Sequence, residues 1–301
     1  MTHLLHAHGE SESGFALFLD EVIWHGLLDT LKLLPFLFLT YLLMEFIEHK
    51  AGERFSGFMK KSGRFGPLAG AALGALPQCG FSVVAANLYV GRVITAGTLV
   101  AVFLSTSDEM LPILISGGIS VDRLLIILLY KLVIAAIVGF VLDFGLKLFG
   151  KSKEDINIDE LCENDNCHCE RGICYSALHH TLTVGGFVLL ATLALNLCIF
   201  ILGEDTLASF VGAAPALSHL VCTLLGLIPN CAASVILSEL YCEGIITAGA
   251  MLSGLFTGAG VGILVLLRLN KKPKENLGII LILLLSGICF GLLFDVLPLG
   301  L

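Results

Sequence analysis

The feature that most constrains this chain is a stretch that it carries twice. Gly74-Ala75-Leu76-Pro77-Gln78-Cys79 leads through Ser82 and Tyr89 to Ile94-Thr95-Ala96-Gly97. Gly226-Leu227-Ile228-Pro229-Asn230-Cys231 leads through Ser234 and Tyr241 to Ile246-Thr247-Ala248-Gly249. Matched residues stand 152 positions apart without a gap (226 − 74 = 152), and 11 of the 31 pairs between 74–104 and 226–256 are identical. A period of half the 301-residue chain signals internal duplication. In each copy an uncharged run long enough to enter a membrane is broken by proline, an amide and a thiol. Proline frees a backbone carbonyl that hydrocarbon cannot satisfy, so such a break persists in a membrane only where it lines a site within the protein. Two related halves around a central transport site are therefore expected.

The environment follows from composition. The chain is 56% hydrophobic and 14% charged, with a mean hydropathy of +0.94, whereas about a quarter of the residues of a soluble domain are charged. An integral membrane protein of the all-α class is expected. A net charge of −8 argues against nucleic acid as a partner. No Lys or Arg precedes the first apolar run, so no secretory leader is expected ahead of it. Cys198, Cys222 and Cys289 lie singly in apolar runs and read as small hydrophobes.

Read in order, residues 1–26 form an extracytoplasmic segment with His3, His6 and His8, which read as a polar terminus rather than a metal-gathering site. Residues 27–149 form the first membrane repeat, 150–178 a cytoplasmic linker rich in Cys and acidic residues, and 179–301 the second repeat. Spans are expected at Leu27–Ile47, Val93–Gly118, Leu124–Leu148, Thr181–Leu202, Ile245–Leu267 and Leu277–Phe294. The proline stretches Gly66–Val90 and Ser218–Leu240 either cross once or enter and return as hairpins of two half-length helices. The distribution of Lys and Arg favours hairpins. That arrangement puts 14 of the 17 basic residues on the cytoplasmic side, where basic loops belong, against ten if both stretches cross. It gives each half three full crossings. The halves are then inverted relative to one another, with re-entrant or broken helices at the midplane, the amino terminus outside and the linker in the cytoplasm.

Four groups of residues carry chemistry in this arrangement. The hairpin tips offer the carbonyl oxygens of Gln78 and Asn230 and the soft thiols of Cys79 and Cys231, as ligands for Zn, Cu(I) or a metalloid. Their plain alternative is a structural kink between small packing residues. Asp108 and Glu109 follow Ser105, Thr106 and Ser107 in the middle of a span, where carboxylates are costly and mark an ion or proton path. Thr257 stands in the matching glycine-rich break of the second half, and Pro112 leaves open that the carboxylates reach the outer surface instead. Lys131, in mid-span, either neutralises these carboxylates, moves as a coupling charge or snorkels along its stem; Glu239 is a weaker coupling candidate near the outer mouth. In the linker, Cys162, Cys167, His168, Cys169 and Cys174 form a C-x4-C-H-C-x4-C run that does not match paired zinc spacings but leaves thiols for a soft cation. Walker, Rossmann, zincin and nucleophile-elbow patterns are absent, so neither an enzyme nor a cofactor is expected.

Leu76–Tyr89, the linker run Glu160-Leu161-Cys162 through Cys167-His168-Cys169 to His180-Thr181-Leu182, and Ile228–Tyr241 resemble a family labelled ten-transmembrane heavy-metal exporters. Its members are also labelled arsenic-efflux-like proteins or manganese transporters. The resemblance extends from about Leu27 to Leu297 and implies five helical segments in each half, together with metal or metalloid efflux across the cytoplasmic membrane. Manganese favours Asp108, Glu109, Gln78 and Asn230, whereas arsenite or cadmium favours Cys79 and Cys231. The expected partners are a metal or metalloid ion and the lipid bilayer. A coupling proton or sodium ion, and a second copy of the chain, stay open. The competing readings are an organic-anion carrier of bile-acid type, since helix starts at the tips suit carboxylates, and a non-transporting metal sensor whose linker thiols are the receptor.

Overall fold

A computed structural model describes residues 65–76, 80–107, 110–148, 173–202, 217–229 and 231–297, with scattered positions between 23 and 42. Every regular element among them is a helix: α1 Gly66–Gly74, α2 Gly80–Val90, α3 Ala96–Ser105, α4 Met110–Ser116, α5 Val121–Leu148, α6 Ile173–Leu202, α7 Ser218–Gly226, α8 Cys231–Cys242, α9 Ala248–Thr257, α10 Val261–Leu269 and α11 Pro273–Val296. The duplication is visible in these bounds. α1 and α7, like α3 and α9, coincide to the residue after a shift of 152 (66 + 152 = 218; 96 + 152 = 248). α5 and α11 start at matched positions (121 + 152 = 273).

Local chemistry explains where these helices begin and end. Thr95 and Thr247 cap α3 and α9, each hydroxyl accepting a backbone N–H three residues on, from Thr98 and Ala250, both at 3.1 Å. Pro67 and Pro273 open α1 and α11, where the missing N–H would have had no helical partner. α3 stops in a run of hydroxyls turned onto the backbone. Ser105 Oγ donates to Ala101 O at 2.9 Å, Thr106 Oγ1 to Val102 O at 2.8 Å, and Ser107 Oγ to Ser105 O at 2.9 Å. α9 ends at glycines instead: Gly260 has φ +53°, a conformation that side-chain-bearing residues rarely adopt.

Five segments among the described residues are long and apolar enough to cross a membrane: Ala96–Ser116, Val121–Leu148, Ala177–Ala194, Ala248–Leu269 and Pro273–Val296. The protein is a multi-pass membrane protein. The two broken spans, α3–α4 and α9–α10, are mostly buried, while the unbroken α5 and α11 are mostly exposed. On α5 the exposed side chains include Leu125, Leu129, Val133, Ile137, Val141 and Phe144, spaced as one helix face, as lipid contact requires.

Within each half the broken span packs between the short helix ahead of the proline and the long helix: α3 against α1 and α5, and α9 against α7 and α11. Small residues allow the close approach. A Cβ on Gly97 would collide with Gly139 O, and one on Gly249 with Gly291 O. α2 and α8 also reach across, α2 packing on α10 and α8 on α4, while each keeps contact with the broken span of its own half, α3 and α9.

Two relations fix direction. Along α1, Gly66 lies against Thr98, Gly70 against Thr98 and Val102, and Gly74 against Val102 and Ser105, so α1 and α3 start level and run together. α7 and α9 do the same, from His219 beside Ser253 to Gly226 beside Thr257. Arg92, just ahead of α3, pairs with Glu275 at the start of α11 at 3.1 Å. Gly249, at the start of α9, donates its N–H to Asp295 at the far end of α11 at 2.8 Å. α3 and α9 thus begin at opposite ends of the same long helix.

Candidate functional site

The interruptions of the chain converge. Gly74, the last residue of α1, lies against Ser105 at the end of α3, and Gly226, the last of α7, in the same way against Gly254 and Thr257 at the end of α9. Ser82, in the first turn of α2, touches Gly262 in the first turn of α10. α1 therefore meets the break of its own half and α2 the break of the other. Thr257 Oγ1 ties the second set together, donating within reach of Thr223 O at 2.9 Å and Gly254 O at 2.8 Å.

Lys131 stands at the centre of this cluster. It lies in the middle of α5 and is 1% exposed, so its stem does not reach for either membrane surface. The Nζ donates to Thr106 O, just past the end of α3, and to Leu255 O, in the last turn of α9, at 3.2 Å. The Phe256 ring lies below the ammonium at 5.9 Å. Leu255 O would ordinarily accept from the N–H of Ala259, but that N–H bonds Thr257 O at 2.8 Å, so the break deprives the carbonyl of its helical donor. Both oxygens sit at helix carboxyl ends, where the partial charge is negative. A buried ammonium is tolerated there because hydrogen bonds and dipoles replace its hydration. The neighbouring Tyr130 anchors the same turn by donating to Phe290 O on α11 at 2.7 Å.

The symmetry between the halves is broken here. The position matching Lys131 is Leu283 (131 + 152 = 283), which is buried and apolar. Ser105, Thr106 and Ser107 match Thr257, Gly258 and Ala259, so the first break is the more polar of the two.

Of the residues singled out in the sequence, Ser105, Lys131 and Thr257 come together at this centre. Gln78, Cys79, Asp108, Glu109 and Asn230 lie outside the described residues, as do Cys162, Cys167, His168 and Cys169. Cys231 opens α8 and Cys174 lies in the first turn of α6. Glu239 is on an exposed face of α8. Among the described residues, no three His, Cys, Asp or Glu side chains gather as a metal site.

Sequence reading missed the two main-chain carbonyls that hold Lys131, which no residue type advertises. It also missed Asp143 and Asp295, although both are charged residues near the ends of matched spans and stand 152 apart (143 + 152 = 295). A third omission is a polar cluster between the halves. There Glu275 accepts from Tyr89 Oη and from Arg92 Nη2, both at 3.1 Å, and Asn270 Nδ2 donates to Asn276 Oδ1 at 2.7 Å.

No curated protein and no solved structure matches the chain. A family model does, that of ArsP_2, described as "Putative, 10TM heavy-metal exporter", over residues 23–147 and 110–260. These matches take in both proline stretches, the first broken span, Lys131 and α9. The chain belongs to this heavy-metal exporter family.

Proposed function

We propose that the protein is a secondary active transporter that exports a heavy-metal, manganese or metalloid ion across the cytoplasmic membrane by alternating access. The observation that carries the reading is the meeting of the helix breaks from both halves around a buried cation-holding centre, in a chain whose family is described as an exporter. Irregular backbone at membrane depth is tolerated where it lines a transport pathway. The re-entrant hairpins find support in the levels of the helices. Since α1 and α3 start level and run in the same direction, α2 has to lead the chain back between them. The inverted relation of the halves is supported by α3 and α9 starting at opposite ends of α11, which at ~1.5 Å per residue is long enough to span the bilayer.

In this reading Gln78, Cys79, Asn230 and Cys231 at the tips, together with Ser105, Asp108, Glu109 and Thr257 at the breaks, bind the ion. Lys131 acts as the coupling charge and Glu239 stands at the outer mouth. Soft thiols suit arsenite or cadmium, and oxygen donors suit manganese. The linker thiols Cys162, Cys167, Cys169 and Cys174, with His168, collect metal on the cytoplasmic side.

Flux of Mn²⁺, Zn²⁺, Cd²⁺ and arsenite in vesicles tests this, with Cys79→Ser, Cys231→Ser and Asp108→Asn as variants. At least one ion is expected to be carried by the parent protein and lost in one or more variants. Unchanged transport of every ion in all three variants would defeat the assignment of the site, and absence of flux for the whole panel would defeat the function.

A further inference from the structure

The contacts of Lys131 describe a seat for a cation, already filled. Two carbonyl oxygens, one from each half, point at one place from the carboxyl ends of α3 and α9, and the lysine ammonium occupies it. Half-helix carboxyl ends with freed carbonyls are the usual protein ligands of an alkali cation at membrane depth, since they supply oxygen atoms and a negative dipole end without a hydrogen to remove. The Phe256 ring adds a face that attracts any cation of that size. The fold of α5 does not itself require a lysine here, because α11 carries Leu283 at the matched position and is equally well packed.

We infer that Thr106 O and Leu255 O form a monovalent-cation site whose resident ion is the tethered ammonium of Lys131. Removing the side-chain charge opens the seat to free sodium, potassium or a small alkylammonium ion. The existence of the seat is read from these contacts alone. Its place in the cycle rests on the transport reading above: the lysine stands where a sodium-coupled carrier would hold its sodium, so metal export by the parent protein needs neither sodium nor potassium. The carbonyls come from opposite halves, so the ammonium also holds the two breaks together.

The test is thermal unfolding of the purified full-length protein in detergent, at constant ionic strength, in the chlorides of sodium, potassium, ethylammonium and the bulky N-methylglucamine. For the parent the midpoint is expected to be the same in all four salts. Lys131→Ala is expected to unfold at a lower temperature in N-methylglucamine and to recover most of the loss in at least one of the small cations, saturating with concentration as a single site does. Lys131→Met, which keeps the volume of the stem, is the second variant. Its seat is partly filled by the side chain, so it should recover less than Lys131→Ala. Equal midpoints in all salts for both variants would overturn the inference. So would failure of both to fold at molar sodium or potassium, because a free cation would then have filled the seat. So too would sodium stabilisation of the parent itself as large as that of Lys131→Ala. Because the readout is stability, cation rescue in a protein without metal flux would leave the seat standing and remove the transport reading, whereas flux without rescue would do the reverse.

Discussion

Asp143 and Asp295 make the same two bonds in the two halves of the chain. Asp143 accepts from the Gly97 N–H at 2.9 Å and from the Thr95 hydroxyl at 2.7 Å, and Asp295 accepts from the Gly249 N–H at 2.8 Å and from the Thr247 hydroxyl. Each carboxylate near the end of a long helix thereby holds the first turn of the broken span beside it, where backbone N–H groups lack helical partners.

Asp143→Ala and Asp295→Ala should each lower stability by about 1–2 kcal/mol, since of the two bonds lost only the one from the backbone N–H is partly buried. Each also has a basic neighbour, His219 Nε2 at 3.2 Å from Asp295 and Lys147 near Asp143, so the two losses should be similar. The two sites share no partner, and the double variant should show the sum. Thermal unfolding midpoints in detergent check this; midpoints unmoved by either substitution would mean that the caps contribute nothing.

The glycines at the second break make a sharper case. Gly260→Ala places a side chain at φ +53° with ψ −143°, outside the left-handed helical well, and the cost should be about 1–3 kcal/mol. Gly226→Ala drives a methyl into Gly254 O, a backbone atom that cannot turn away, and about 1–3 kcal/mol is expected. Gly118→Ala is strained by its φ of +77° but meets nothing within 4 Å, so strain alone should appear there. Comparing the three midpoints separates strain from collision, and Gly226→Ala proving as mild as Gly118→Ala would count against the close packing of α7 on α9.

Arg92 carries a positive φ of 57° where the matched residue of the second half is Gly244 at 73°. Its pairing with Glu275 offsets that strain. Arg92→Ala loses the pair and keeps the strain, whereas Arg92→Gly loses the pair and relieves it. The alanine variant should be the less stable by about 1 kcal/mol. An alanine variant equal to or better than glycine would show that the conformation is not held in solution.

The sidedness of the linker is open to chemical labelling. A membrane-impermeant maleimide should modify the thiols between residues 160 and 175 in inside-out vesicles and leave them untouched in right-side-out ones. Reaction from the exterior would turn the hairpins into full crossings and remove the proposed centre.

Much of the architecture was legible because duplication leaves its marks on special residues. Pro77 and Pro229 announce interrupted helices, Thr95 and Thr247 announce helix starts, and the structure puts helix boundaries at or beside these positions. The polar run from Ser105 and the glycines after Thr257 announce broken spans in the same manner. Lys131 was visible as an anomaly, but its two carbonyl contacts were not: Thr106 and Leu255 act through main-chain oxygens, and a carbonyl freed by a break 25 or 124 residues away has no signature of its own. The choice of neighbours was hidden for a similar reason. α2 is apolar nearly all round, so periodicity says that it is buried without saying against what.

The packing of α2 on α10 and of α8 on α4, each across to the other half, has a bearing on biosynthesis. When the ribosome has delivered the first half, α2 rests on α3 within that half, and its main partner α10 arrives only after more than a hundred further residues have been threaded in. Neither half is a finished product that later docks with its twin; the native arrangement closes only when the late-arriving segments slot into places left open by the early ones.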